Sequence, residues 1–306
     1  MGKRNRLISL NKAVFLTQGN PITLGSLLSS FAPDSSRFVA ALEPVEGKSL
    51  FFSQISHQAG GRSAHFSFIT PDETSSDESI ATLIDFLCYQ AGDMGALNVL
   101  TDIEETHPLF EQFRKAGFCA YGWESIWRIP RGLPCDVSKS CWGIPSPADE
   151  NVVRTLYQTL IPPLVQNAEP FVVSGTPRLV YKVEGELVAY AESISGTGGI
   201  YLVPVIHPAV KEIRALLLDL VCQFHEMGRP VYMQVRSYQA WLAEHLQQLG
   251  AEPAPRFSLL VKHLAVSQLN AIKEAQRVRS DQRQAEPTAP VFNHCVNTEP
   301  RSDGLK

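Results

Sequence analysis

Glu192 is the residue whose type and setting best suit proton transfer. It lies in the stretch LVAYAESIS (187–195), which alternates as a strand does. The alternation places Glu192 on one face with three largely apolar neighbours, Val188, Tyr190 and Ile194. A carboxylate among apolar side chains has a raised pKa, which suits a general base. A solvated rim position for Glu192 is the alternative, and His207, at the exit of the next strand, is a second candidate base.

Two basic residues, Lys211 and Arg214, stand where the apolar helical pattern IRALLLDLVCQFHEMG (213–228) begins. The positive end of a helix favours a negatively charged group such as a phosphate. Arg214 can add a charge-assisted hydrogen bond to such a group. The alternative is a solvated helix face formed by Lys211, Glu212 and Arg214.

Motifs of several other chemistries are absent from the sequence. It contains no G-x-S-x-G elbow, no phosphate-binding Walker loop and no H-E-x-x-H helix. The glycines of Gly196-x-Gly198-Gly199 stand between two strands, so we interpret them as a hairpin turn. No cysteines are spaced as zinc ligands, and His294 with Cys295 makes a poor site, so we predict no metal. Cys88 and Cys222 occupy apolar helices and are predicted to be buried packing residues.

Composition bounds the class of protein. A chain of 306 residues, 44% hydrophobic and 19% charged, is expected to fold as two soluble globular domains. Its net charge of −4 argues against nucleic acid as a partner. No apolar run approaches the roughly 20 residues that cross a bilayer, so no membrane partner is expected. The N-terminus has no long apolar core of the kind found in signal peptides, and we therefore predict a cytoplasmic protein.

The chain contains two copies of one pattern. Four landmarks recur in the same order: Gly61, Pro71, Asp85 and Gly117 correspond to Gly199, Pro208, Asp219 and Gly250. Such a recurrence indicates a repeated domain. We predict a first copy at 1–132, a second copy at 133–268 and a polar, disordered tail at 269–306.

The second copy has the clearer sequence of elements. A helical pattern at 149–168 is interrupted by Pro162 and Pro163, and the helix at 213–228 is expected to end at Gly228. Its strands are predicted at 178–184, 187–195, 200–206, 230–238 and 257–264, with a further helix at 240–250. The first copy repeats this order, with strands at 37–43, 49–56, 63–69, 97–103 and 119–129 and helices at 80–91 and 109–116. Its opening helix is shortened to 23–31.

This order of elements resembles the GNAT (GCN5-related N-acetyltransferase) fold, an α/β fold with a mixed sheet. Two local echoes carry the resemblance: the helix ending in RKAGF (114–118), and central strands that leave through Ile69-Thr70-Pro71 and Ile206-His207-Pro208. The resemblance covers residues 37–130 and 141–264. It implies two tandem GNAT-like domains that use acetyl-CoA as co-substrate, with no metal.

GNAT proteins bind acetyl-CoA where the helix after that strand begins, through a basic residue and several glycines. The first copy has TPDETSSDES (70–79) there, and its acidic side chains repel phosphate. The second copy keeps a basic residue, Lys211, although side chains replace the glycines. By position, the resemblance implies acetyl-CoA contacts at Ile206, His207, Lys211 and Arg214. An open gap beside the strand 200–206 favours such a site, and a gap filled by Ile213 or Leu216 does not.

The family commonly protonates the leaving thiolate with a tyrosine on the last helix. Phe113 and Leu246 occupy that position here, and neither transfers a proton. Tyr238, where that helix begins in the second copy, is the candidate substitute, with packing on the sheet as its alternative role.

Two hypotheses of function follow. In the first, the second copy transfers an acyl group from CoA to a small-molecule amine or a peptide N-terminus. In the second, the protein is a non-catalytic GNAT-fold protein that binds a small ligand or a protein partner through the former CoA cleft. The fold alone does not choose between them.

Overall fold

The computed structural model of the chain describes residues 7–19, 37–43, 50–58, 60–70, 78–135, 140–172, 177–224 and 227–264. All of them belong to the first of the two units into which the chain divides, Met1–Ser267. The helix predicted at 23–31, the acidic stretch 71–77 and the tail predicted at 269–306 lie outside the described residues.

The described residues form thirteen strands and seven α-helices. The strands are β1 (Ile8–Ser9), β2 (Arg37–Leu42), β3 (Phe51–His57), β4 (Ser63–Thr70), β5 (Asn98–Glu104), β6 (Cys119–Arg128), β7 (Trp142–Gly143), β8 (Arg178–Val183), β9 (Glu186–Ser195), β10 (Ile200–Ile206), β11 (Val231–Arg236), β12 (Glu252–Pro253) and β13 (Phe257–His263). The helices are α1 (Lys12–Gln18), α2 (Glu78–Asp93), α3 (Leu109–Lys115), α4 (Asp149–Leu160), α5 (Pro163–Ala168), α6 (Ile213–Cys222) and α7 (Leu242–Gln248). A 3₁₀ turn, Ser237–Gln239, joins β11 to the segment before α7.

All the strands belong to one mixed sheet. Eleven of them follow the order β2-β3-β4-β5-β13-β6-β11-β10-β9-β8-β7, while β1 pairs with β4 and β12 pairs with β6. The last strand of each copy lies beside the other copy: β6 pairs with β11, and β13 pairs with β5. β6 and β13 also pair with each other, antiparallel. The sheet therefore crosses the boundary predicted between 132 and 133, and that boundary stays a prediction.

Four apolar clusters hold the helices to the sheet, and the smallest, around Tyr201 and Phe257, packs against α1. α2 and α3 pack over the first copy, and α6 and α7 over the second, because each helix carries an apolar stripe. A third cluster lies on the opposite face of the sheet. Successive residues of β13 show this, because Leu260 belongs to the first cluster and its neighbours Leu259 and Val261 belong to the third. α4 and α5 cover that opposite face.

The second copy's α5 reaches the first copy directly. The Ser63 hydroxyl of β4 donates to the Ala168 carbonyl at 2.9 Å, and the Asn98 amide of β5 donates to the Asn167 carbonyl at 3.3 Å. The interruption predicted at Pro162 and Pro163 is confirmed, since it separates α4 from α5. This break lets the chain turn across the sheet towards the first copy.

The sequence-based prediction of helix 213–228 was wrong at its C-terminal end. α6 ends at Cys222, which forms a disulfide with Cys135 in the segment between the copies. Cys222 is buried as predicted, but it is not a free packing thiol, because its partner comes from a distant part of the sequence. Cys88 is both buried and free, as expected.

Gly196 is a glycine because α1 ends directly above it. The amide of the neighbouring Gly198 donates to the carbonyl of Thr17 at 2.7 Å. A Cβ added at Gly196 would lie 2.2 Å from that same Thr17 oxygen. The turn predicted from the glycines therefore also packs against the end of α1.

We expect Gly196→Ala to lower the free energy of unfolding by about 1–3 kcal/mol, because the added methyl displaces backbone rather than a side-chain end. Gly143→Ala is the matched control, since nothing lies within 4 Å of its added Cβ. Urea denaturation of the two variants measures the difference. Equal stability of both would show that α1 does not bear on the turn.

Candidate functional site

Each copy contains two parallel strands that separate along their length. β4 pairs with β5 only from Ser63 to His65, and β10 pairs with β11 only from Ile200 to Leu202. Beyond those residues each pair is open. We call the opening between β4 and β5 the first slot, and the opening between β10 and β11 the second slot.

The first slot is filled by the chain's own N-terminal segment. β1 pairs antiparallel with β4. The Leu10 amide donates to the Ser67 carbonyl at 3.0 Å, and the Leu10 carbonyl accepts from the Asp102 amide on β5 at 3.2 Å. Leu10 is fully buried. The N-terminal segment thus bonds to both walls of the first slot and occupies it as a short strand.

Asp102 binds the N-terminal segment through its side chain. Its carboxylate accepts from the Lys12 amide at 2.6 Å. Burial, with a further contribution from Glu124, raises the pKa of Asp102 to about 7. Burial also lowers the pKa of the Lys12 ammonium, which donates to the Ser9 carbonyl at 2.8 Å and lies over the Phe257 ring. The closed first slot therefore contains two partly buried titratable groups, Lys12 and Asp102.

The second slot is occupied differently. The Gln239 carboxamide donates to the Pro204 carbonyl and accepts from the Ile206 amide, both at 3.0 Å. Gln239 is only 4% exposed. Ile213 and Leu216 are buried in the same apolar cluster as Ile206 of β10 and Val235 of β11, so they pack against the strands that flank the second slot. A single side chain, rather than a strand, holds the edge of β10.

The residues predicted to contact the co-substrate lie in one stretch. Ile206 ends β10, and the His207 ring accepts from the Ala209 amide at 3.2 Å within the loop that follows. Lys211 and Arg214 are exposed at the beginning of α6. The structure thus places two cations and the first amides of a ten-residue helix beside the end of the second slot.

A cavity of about 740 Å³ lies on the sheet face opposite α6. Both copies line it. From the first copy come side chains of β3 and β4, including Gln54, His57 and His65. From the second come side chains of β9, β10, β11 and the α5 end, including Glu169, Tyr190, Glu192, Val205, Gln234, Arg236 and Tyr238. We call it the shared cavity.

Glu192 lines the shared cavity beside its predicted neighbour Tyr190, but it also has a charged partner that the alternation did not indicate. The guanidinium of Arg178, opposite it on β8, binds its carboxylate at 2.8 Å. Arg178 also lies over the Phe171 ring and 3.7 Å from Glu150. The carboxylate is thus oriented by an arginine that is itself held from two sides.

Tyr238 lies in the turn directly before Gln239 and lines the same cavity. Burial raises its pKa to about 12, so the phenol keeps its proton at neutral pH. Tyr157 and Tyr190 line the cavity beside it, and burial raises the pKa of both. Phe113 and Leu246, at the positions of the family's usual acid, are fully buried in the apolar clusters under α3 and α7.

Sequence reasoning missed a buried ionic network at the cavity floor. Arg236 of β11 lies 3.4 Å from Glu124 of β6 and 3.0 Å from Glu169 after α5. Burial raises the pKa of Glu124. Burial would also raise the pKa of Glu169, but Arg236 and the Tyr121 hydroxyl stabilise its carboxylate more strongly, so its pKa is lowered. One signal was available: Gln234 and Arg236 are two polar residues on one face of an otherwise apolar strand.

The described structure repeats the predicted order of hairpin, central strand, helix, strand, helix and strand in both copies, with separated parallel strands at the centre of each. The fold is two tandem GNAT-like units. It is an α/β fold with a mixed sheet, as predicted.

Solved structures with similar folds include acetyltransferases. A GCN5-related N-acetyltransferase from Sphaerobacter thermophilus is 13% identical, with 70% of this chain and 76% of that chain covered and a TM-score of 0.45. One from Kribbella flavida is 10% identical, with 80% and 98% covered and a TM-score of 0.47. A tandem GNAT protein from the clavulanic acid biosynthesis pathway is 14% identical, with 78% and 86% covered and a TM-score of 0.44.

These likenesses concern the fold alone. No protein-family model matches the chain, and no curated protein matches its sequence. Within the described ranges, no group of three or more His, Cys, Asp or Glu side chains is placed to hold a metal ion. None of the helices in the described part of the chain is long and apolar enough to cross a membrane.

We expect Asp102→Asn to change how stability depends on pH. Unfolded aspartate has a pKa of about 3.9, whereas folded Asp102 titrates near 7, so the folded state binds more protons between these values. Stability therefore falls as pH rises through this window, and asparagine, which can still accept from Lys12, removes that fall. From about pH 5 to pH 7 the variant should gain about 2 kcal/mol relative to the native protein.

Urea denaturation at a series of pH values measures this gain. The groups that face Asp102, namely Lys12, Glu124 and Arg236, are unchanged in the variant. Asp85→Asn is the control, because Asp85 is exposed and pairs only with Lys262 among the described ion pairs. Parallel pH profiles for the native protein and Asp102→Asn would contradict the assignment.

Proposed function

We propose that the second copy transfers an acyl group from coenzyme A to an amine bound in the shared cavity. One observation carries the proposal: the second slot and the shared cavity meet at consecutive residues. Gln239 bonds to the slot edge of β10, and Tyr238, before it, lines the cavity together with Glu192. A donor in the slot and an acceptor in the cavity would approach each other there.

The donor side suits an acyl-CoA. Lys211 and Arg214 are exposed cations at the positive end of α6, which is suited to the pyrophosphate. The slot edge of β10 has one carbonyl and one amide bonded to the Gln239 side chain, whose place an amide-bearing arm would have to take. In the first copy the slot is occupied by backbone instead, because Leu10 bonds to both Ser67 and Asp102. This difference supports the second copy as the donor site.

The acceptor side suits a small amine or a peptide N-terminus. The Glu192 carboxylate would take a proton from the attacking amine. The amine nitrogen then forms a bond to the thioester carbonyl carbon, the carbon–sulfur bond breaks, and the thiolate leaves. Tyr238, protonated at neutral pH, would give that thiolate its proton. Arg178 would hold Glu192 in position through the step.

The alternative is a non-catalytic protein that binds a ligand in the same cleft. It requires the same cavity but neither proton transfer nor turnover. Binding of acetyl-CoA and its turnover are therefore measured separately in the two experiments that follow.

We expect Lys211→Ala to weaken acetyl-CoA binding by roughly ten- to a hundredfold, because a charge-assisted phosphate contact is worth about 1.5–3 kcal/mol. Calorimetric titration measures the Kd. Lys115→Ala is the control, since Lys115 is an exposed lysine of the first copy, in the last turn of α3. Unchanged affinity in Lys211→Ala, with Thr74→Ala weakening binding instead, would assign the donor to the first copy.

We expect Tyr238→Phe to lower turnover about a hundredfold and to leave the Kd of acetyl-CoA unchanged, because general acid catalysis is worth about 10²–10⁴ in rate. Acetylation of a panel of small amines and N-terminal peptides supplies the readout. Tyr89→Phe, an exposed tyrosine on α2, serves as the control. Full turnover in Tyr238→Phe would remove Tyr238 as the acid, and absence of turnover in the native protein across the panel would favour the binding alternative.

A further inference from the structure

The slot edge of β10 must have hydrogen-bond partners. β10 pairs with β9 on its other side, where the His207 amide donates to the Val188 carbonyl. Because groups alternate along a strand, Pro204 and Ile206 direct their carbonyl and amide into the second slot. Both are buried, and a buried backbone group without a partner is costly.

Gln239 supplies both partners at once. Its carboxamide presents one N–H donor to the Pro204 carbonyl and one C=O acceptor to the Ile206 amide. A secondary amide presents the same pair, one donor and one acceptor. The pantetheine arm of coenzyme A contains two such amides. The side chain of Gln239 therefore satisfies the groups that an amide of this arm would satisfy.

In the first copy the slot is occupied permanently, by backbone of the N-terminal segment. There the donor and acceptor are the backbone groups of Leu10. They are held by β1, by the Lys12–Asp102 bond and by the contact of Thr17 with Gly198. Opening the first slot would mean detaching the N-terminal segment. In the second slot both bonds come from one side chain, that of Gln239.

We propose that Gln239 is a displaceable stand-in for an amide of the acyl donor, which must turn this side chain out of the second slot to bind. The proposal rests on the function proposed above. Gln239 would compete with the pantetheine arm of the donor and not with its nucleotide end. Removing the carboxamide should therefore tighten binding of an intact acyl donor and leave binding of its nucleotide part unchanged.

The test compares two probes by calorimetric titration. Acetyl-CoA carries the pantetheine arm, and adenosine 3′,5′-bisphosphate lacks it. We expect Gln239→Ala to bind acetyl-CoA about tenfold more tightly than the native protein, because the competing conformation is removed. The bisphosphate Kd should not change. Gln248→Ala, an exposed glutamine on α7, should match the native protein with both probes.

A second variant guards against loss of structure. Gln239→Asn keeps the carboxamide on a side chain one methylene shorter, which does not reach both partners, and it should also tighten acetyl-CoA binding. If Gln239→Ala does not fold, as judged by thermal unfolding, Gln239→Asn decides the question.

The outcomes separate the two proposals. Native protein that binds acetyl-CoA, with equal or weaker binding in the folded Gln239 variants, overturns the stand-in and leaves the proposed function intact. Equal tightening of both probes also overturns it, because the effect would not involve the pantetheine arm. Absence of acetyl-CoA binding in the native protein and in both variants overturns the proposed function as well. Binding confined to the Gln239 variants would support both.

Discussion

The antiparallel pairing of β6 with β13 is the constraint on which the rest of the structure depends. Each of these strands ends one copy, and each lies against the other copy's parallel pair. Neither copy completes its sheet without the other. Because the sheet is continuous, the face of β3 and β4 lies beside that of β10 and β11, and the shared cavity draws its walls from both.

The same pairing brings buried charges together at the seam. β6 contributes Glu124, β11 contributes Arg236, and the end of α5 contributes Glu169. A buried guanidinium between two carboxylates gains little net free energy, but loss of one partner leaves an unpaired buried charge, which is costly. The network therefore joins strands of both copies at the floor of the cavity, so a shift between the copies would break these ion pairs. The first copy, although its slot is closed, remains part of the site through its strands.

Much of the fold follows from local patterns. Local patterns, such as the alternation of 187–195 and the apolar run 200–206, predicted β2 to β6, β8 to β11 and β13, and the repeat of landmarks indicated two similar units. The exchange of last strands was not predictable, because alternation fixes a strand but not its neighbour. β1 is too short to give a sequence pattern, although its pairing with β4 fills the first slot. The Cys135–Cys222 bond joins residues that no local pattern relates.

The candidate site was predictable in its residue types but not in its contacts. Glu192 and Tyr238 do line one cavity, and Lys211 and Arg214 do stand at the beginning of a helix. Arg178 reaches Glu192 only because β8 and β9 pair in a particular register. Gln239 lies between the strand predicted at 230–238 and the helix predicted at 240–250, and no sequence pattern indicated that its carboxamide would bond to β10. Such contacts depend on tertiary geometry.

The central claim is that the chain permanently fills its first slot and leaves its second to an acyl donor. Hydrogen–deuterium exchange with and without saturating acetyl-CoA tests it most directly, because both slots are followed at once. The account predicts slower exchange in peptides covering 203–216, with no change in those covering 8–12 and 64–70. Slower exchange at 8–12 and 64–70 with none at 203–216 would contradict it.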